Sequence, residues 1–356
     1  MRPTVLAFWD IVFRPLVAQV VEPIRGLLMP LLAEDTSTAI DQLLGRLDKL
    51  HSSPAVALQV MEITRDPDFD FHDVKRCLEN DPALTAAVLR LVNSSYYGLP
   101  RKITAVQEAM AYLGRRSLRL SVLGFGLVKA LANGCPKAFH ESYWRRSLSV
   151  AVAARKLAER CDKREVHADS VFAAGLLADL GMIALAQLET EKYLAVCENC
   201  DHLVGQITRE RETFGFSHVD VTVRLLTKWQ LPEELIVAVS EHHQCPASAG
   251  KMSQILKTAS VLAEVLWTSN SPHMRILLPL LKTRFDLDVD DLISLATQCK
   301  EAVKESVEVF QVRIDGEIDI DAIQSEAQAM YQAAVLETAV DLDSLEALLA
   351  EENGLG

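Results

Sequence analysis

The sequence is poor in helix breakers and in strand patterns. It has only 15 glycines and 13 prolines in 356 residues, and it has few stretches in which β-branched and polar residues alternate. Half-buried strands need that period of two, so its scarcity argues against a sheet protein and for an all-α fold. A run of roughly 20 uncharged residues, the length that spans a membrane, is missing from the N-terminus. The opening stretch, MRPTVLAFWDIVFRPLVAQVVEPIRGLLMPLLAED, is apolar, but Asp10, Arg14, Glu22 and Arg25 interrupt it and Pro15, Pro23 and Pro30 break it. It also lacks the basic start, clean apolar core and small-residue cleavage site of a signal peptide. An excess of basic charge is missing too: 36 Lys and Arg face 49 Asp and Glu, a net charge of −13. Phosphate backbones are gripped by cations, so no nucleic-acid partner is expected. The seven cysteines are odd in number and irregularly spaced, which fits reduced thiols and a cytoplasmic protein better than a disulfide framework. Cys197 and Cys200 have C-x-x-C spacing, but no second pair accompanies them, and they read as helix packing.

What is there is apolar and helical, with 49% hydrophobic residues. Asp81-Pro82 is a cap followed by a proline suited to the first turn, after which Leu84, Val88, Leu91 and Ser95 share one face up to Gly98. Val106, Met110 and Leu113 repeat the pattern up to Gly114. Further helices are predicted over Tyr143–Glu159, Ser170–Leu188, Ser217–Trp229 and Pro232–His243, joined by short connections into a compact multi-helix bundle. Three parts are expected: an apolar N-terminal helical segment over 1–35, the bundle over 36–250, and a helical C-terminal extension over 251–356. The extension is acidic at Asp286–Asp291 and carries Ile320, Ile323, Ala327, Met330 and Ala334 at helical spacing. Val5, Phe8, Trp9, Val12 and Phe13 make an apolar face that should be covered by the bundle, a second subunit, a partner or a membrane surface.

One charge stands out. In FAAGLLADLGMIALA, from Phe172 to Ala186, Asp179 is the single formal charge. A buried carboxylate needs a partner or gives up its charge.

The segment NDPALTAAVLRLVNSSYYGLPRKITAVQEAMAYLG, with Asp81, Asn93, Ser94, Tyr97, Gly98, Ile103, Thr104, Ala109 and Gly114, resembles the first half of the bacterial HDOD domain. YWRRSLSVAVAARKLAE, FAAGLLADLGMIAL and ETFGFSHVDVTVRLLTKWQLPEELIVAVSEHH follow in order and are similar to its HD-derived second half. HD phosphohydrolases hold a divalent metal with a histidine from one helix, an adjacent His-Asp pair from another and a distant aspartate, and the ion acidifies a water. Laid on that pattern, Arg146 stands where the first histidine would be and Ala178 replaces the histidine of the pair. Asp179 remains, and Ser260 is the nearest counterpart of the distant aspartate. His218, His242 and His243 persist where metal-dependent relatives use histidine, although each also fits a plainer role, His218 as a hydrogen-bonded core residue and the pair as the end of a helix. QCPASAG follows His243, so the glycine-tyrosine-proline signature of the cyclic-dinucleotide phosphodiesterases is absent.

The resemblance therefore implies a vestigial site without catalysis, metal or cofactor. It implies signal transduction through partner binding, with cyclic-dinucleotide or two-component pathway proteins as partners and self-association left open. Two rivals stand beside it. One is a sensor that holds a nucleotide or phosphorylated ligand in the old cleft. The other is a metal-dependent phosphohydrolase using Asp179, His218, His242 and His243. Arg101, Lys102, Arg115, Arg116 and Arg119 are candidate phosphate or partner contacts or else a solvated helix face. For Asp179 itself, Arg146 is the expected cationic partner, since a guanidinium fork matches a carboxylate and keeps its charge when buried.

Overall fold

A computed structural model describes residues 34–50, 55–64, 66, 69–132, 136–162, 164–198, 203–229 and 231–333. Among them the chain is helical and without strands. Residues 40–326 form one compact unit, and residues 1–39 with 327–356 group apart from it. The expected N-terminal face from Val5 to Phe13 lies outside the described residues, as does Ala334. The helices from residue 251 to 326, expected as an extension, are part of the same unit as the bundle. A further helix starts at residue 320 and runs to at least 333, with Ile323 and Ala327 buried.

Local chemistry sets the helix ends. Helix α1 is Glu34–Leu50, α2 is Ala55–Ile63, and α3, Phe71–Glu79, starts at Asp70, whose carboxylate accepts from His72 N at 2.8 Å. In α4, Pro82–Val92, proline fills the first position, where no N–H partner is needed, and Asp81 accepts from Leu84 N at 3.0 Å. Helix α5, Val106–Ala132, is kinked at Gly114, whose φ of 70° is costly for any residue with a Cβ. Between α4 and α5 the Asn93 amide closes the NSSYYG turn: it accepts from Ile103 N at 2.7 Å and donates to the carbonyls of Ile103 at 2.7 Å and Leu89 at 2.8 Å. Val74, Leu78, Val88, Val92, Ile103 and Met110 gather these helices into one apolar cluster.

Helix α6, Lys137–Ala158, is the central rod and is buried along most of its length. On it pack α7 (Ala168–Leu177), α13 (Lys251–Trp267) and α15 (Val289–Phe310). The other elements are α8 (Leu180–Leu188), α9 (Thr190–Glu198), α10 (Leu203–Phe214), α11 (His218–Lys228), α12 (Glu233–Glu241) and α14 (Met274–Phe285). Helix α11 begins at a capping box in which Ser217 and Asp220 satisfy each other's backbone N–H. That box fixes where the next residue, His218, enters the core.

Candidate functional site

The segment 168–188, predicted as part of one helix from Ser170 to Leu188, is two helices. The break falls at Ala178 and Asp179, with Asp179 at φ −108° and ψ 19°. Its side chain makes no capping bond to α8, which leaves the carboxylate to point elsewhere. Gly181 N instead donates to Thr222 Oγ1 at 2.8 Å, and that hydroxyl donates to His218 O at 2.8 Å. A Cβ on Gly181 would sit 2.0 Å from His218 O, so only glycine lets the first turns of α8 and α11 come this close. The close approach brings the His218 ring to Asp179.

Asp179 is 1% exposed, and each of its oxygens has its own partners. Arg146, from α6, donates through Nε to Oδ2 at 2.7 Å, a direct ion pair. Its Nη1 pairs with Glu264 of α13, and its buried Nη2 has no hydrogen-bond partner among the described residues. Three imidazoles surround Oδ1, with His242 Nε2 at 3.2 Å, His218 Nε2 at 3.4 Å and His243 Nε2 at 3.8 Å. His218 Nε2 and His243 Nε2 are 3.2 Å apart.

The far sides of two rings are also held. His218 Nδ1 lies 2.7 Å from Glu210 Oε2, which also accepts from His218 N at 2.8 Å. Glu210 is fully buried, and its other oxygen accepts from Tyr193 OH at 2.9 Å and Gln206 Nε2 at 3.1 Å. His242 Nδ1 meets the Val239 carbonyl at 2.5 Å.

The charges follow from these contacts. Burial opposes ionisation of Asp179, but Arg146 and then the surrounding imidazoles outweigh it and hold the carboxyl well below the usual range. Burial likewise opposes charging His218, yet Glu210 and Asp179 raise it to about 9. For His242 and His243 burial wins, and both are lowered. The centre is thus two carboxylates, one guanidinium and one imidazole that the field favours as a cation.

Such a donor set suits a metal. The ligand atoms of Asp179, His218, His242 and His243 all lie within 4.8 Å of one another. Imidazole nitrogen with one carboxylate oxygen is a first-row transition-metal set, and a Glu210 carboxylate behind His218 is the outer partner such ligands have. Ala178 has no donor to offer.

The HDOD domain family matches residues 50–245, more than half of the chain. The chain belongs to the HDOD family. An uncharacterised protein of Treponema pallidum (strain Nichols) is 22% identical over 216 residues, 60% of this chain and 42% of that protein, so the chain spans under half the length of this curated relative. A solved HDOD domain protein with unknown function from Geobacter sulfurreducens aligns with a TM-score of 0.53 and 24% identity over 85% of this chain and 96% of its own. A protein of Shewanella amazonensis SB2B, provisionally named a metal-dependent phosphohydrolase, aligns with a TM-score of 0.55 and 18% identity over 75% of this chain and 99% of its own. These likenesses establish the helical HDOD fold.

Within that fold, Arg146, Asp179, His218, His242 and His243 converge, with Ala178 beside them. Ser260, taken as the counterpart of the distant acid, does not reach the site: its hydroxyl donates to Leu256 O at 2.9 Å. The acid that arrives is Glu264, one turn later on α13. Glu210 was also missed, since nothing in RERETF marks it from its neighbours. The basic group takes no part in the described contacts of the site. Arg101 pairs with Glu108, Lys102 is exposed, and the Arg115 guanidinium lies 5.0 Å from the Phe69 ring. The side chains of Arg116 and Arg119, and all of Cys200, lie outside the described residues.

Proposed function

We propose that this HDOD protein is a non-catalytic regulatory module that acts by binding other signalling proteins. The observation that carries the reading is Arg146. It occupies Oδ2 of Asp179 and is braced by Glu264, in the place where the HD pattern has a ligating histidine. A hydrolytic ion needs coordination positions for water and a phosphoester oxygen. Here a guanidinium takes one side of the acid on which the three imidazoles converge, and Asp179, His218 and His242 are buried with His243 at the edge.

A second reading, a sensor of a phosphorylated ligand, is favoured by the cations along the loop after α12. Lys257 Nζ donates to His243 O at 2.8 Å, Arg284 Nη2 to Cys245 O at 3.4 Å, and Arg146 Nη2 is unused. Burial and then the Arg284 charge lower the Lys257 ammonium to about 8, which still leaves it charged at neutral pH.

The test is hydrolysis. Purified full-length protein is supplied with Mn²⁺, Fe²⁺ or Zn²⁺ and assayed on bis-p-nitrophenyl phosphate and cyclic dinucleotides. The expected rate equals that of the metal alone. Turnover that disappears in Asp179→Ala overturns the non-catalytic reading.

A further inference from the structure

We infer that Asp179, His218, His242 and His243 hold a single divalent transition-metal ion in a closed, four-ligand site that is structural in role, with Arg146 taking the outer oxygen of Asp179 in place of any second cation. The inference rests on distances and on where the ring protons must be. A tetrahedral ion with bonds of about 2.0–2.1 Å holds its ligand atoms about 3.3–3.4 Å apart. Four of the six separations run from 3.2 to 3.8 Å, and all six lie within 4.8 Å. The set is therefore close to the dimensions of one first coordination sphere, which small side-chain adjustments around an ion would complete.

The protons say the same. Val239 O only accepts, so the neutral His242 ring that donates to it from Nδ1, 2.5 Å away, turns its Nε2 lone pair to Asp179 Oδ1 at 3.2 Å. Two acceptors in contact in a dry interior repel. The other neutral tautomer only moves the clash to the Val239 carbonyl. His218 is tied in the same way, because the Glu210 carboxylate takes its Nδ1 proton. A further proton on His218 Nε2 would bridge Oδ1 or His243 and leave the His242 contact unanswered. A cation at the centre answers all of these contacts at once.

Four protein ligands with none left open is the pattern of structural rather than catalytic metal sites, and imidazole with carboxylate suits zinc and its neighbours. The outer contacts are in place: Glu210 orients His218, the Val239 carbonyl orients His242, and Arg146 holds Asp179. His243, 7% exposed, is the edge past which an ion enters. An ion here would tie together the α7–α8 break, the start of α11 and the end of α12.

The test uses full-length protein purified without a metal-binding tag, stripped with a chelator, returned to metal-free buffer and titrated with Co²⁺ and then Zn²⁺. One equivalent of Co²⁺ per chain should produce the visible absorption of a four-coordinate ion, and Zn²⁺ should abolish it. Excess Zn²⁺ should raise the melting temperature by about 5–10 °C. Glu210→Gln, which touches no metal, should weaken Co²⁺ binding about 10–100-fold, and His243→Ala at least as much. A folded, stripped protein with no cobalt band and no thermal shift overturns the inference. So does an unchanged titration in folded His243→Ala or His242→Ala, which would place the ion elsewhere. If the variants fail to fold, the wild-type titration decides alone. Metal content and hydrolysis are separate readouts: a bound ion without turnover supports both readings, and a bound ion with turnover overturns only the non-catalytic one.

Discussion

Arg146→Met leaves the buried Asp179 carboxylate with a methyl group where a guanidinium stood 2.7 Å away. Breaking a buried ion pair by removing one partner costs about 3–5 kcal/mol, because the charge that stays behind is neither solvated nor paired. The low end applies here, since His218 still serves the other oxygen. Loss of the Glu264 contact adds under about 1 kcal/mol, because that carboxylate is 28% exposed and water takes over. At about 2–4 °C per kcal/mol for a domain of this size, a loss of about 3 kcal/mol lowers the melting temperature by about 6–12 °C.

The second leg of the cycle is Asp179→Asn, which keeps the shape and removes the charge that Arg146 neutralises. Added to Arg146→Met, it should restore about 1–2 kcal/mol, because no buried charge is left unpaired. Urea unfolding followed by circular dichroism, with chelator present so that no ion compensates Asp179, reads all four corners. Losses that simply add, or an Arg146→Met loss below about 1 kcal/mol, would show that the pair carries no coupling and that the opposition of Arg146 and Asp179 is incidental.

Two further outcomes follow from close contacts elsewhere. Gly181→Ala puts a Cβ 2.0 Å from His218 O, which only a backbone shift can relieve, so a loss of about 3 kcal/mol is expected in thermal melts; a variant that melts within about 2 °C of wild type would mean the α8–α11 contact yields freely. Asn93→Asp turns the donor that faces Leu89 O and Ile103 O into an acceptor, at an expected cost of about 2–4 kcal/mol at pH 7 with Asn93→Ala costing less, and equal stability of the aspartate variant would refute the bridging role.

Much of the fold was legible because its signals are local. Asp81-Pro82 and Gly114 are chain-geometry features that act within a few residues, and each lies where the helices begin or kink. The break at Ala178 and Asp179 was not legible. Both sides are apolar, Ala178 favours a helix, and the cause is a hydroxyl on another helix, Thr222, which takes the Gly181 N–H. The site divided in the same way. Arg146 with Asp179 could be read because a lone buried carboxylate demands a cation, and the family pattern named the helix that supplies it. Glu210 and Glu264 could not, because an acid on a polar helix has no mark until its neighbours are known. Ser260 attracted attention by aligning with a ligand, while the residue one turn further on α13 had the reach.

The retained histidines and the glycine are one structural fact. If the site had merely lost function, apolar residues could replace the cluster at little cost, since a buried charged network is rarely more stable than well-packed hydrocarbon. The backbone opposes that drift. Gly181 packs against the His218 carbonyl with no room for a Cβ, and its N–H and that carbonyl are both met by Thr222. With α8 and α11 locked at this spacing, the side chain at 218 must point at Asp179, and Asp179 sits where the chain has left the helix. A residue at 218 without a donor toward Glu210 would strand a buried carboxylate that accepts four hydrogen bonds, and one without a nitrogen toward Asp179 would strand a second. Histidine meets both demands with one ring. The network is thus held in place by the cost of dismantling it one residue at a time, whether or not any phosphoester is ever cleaved there.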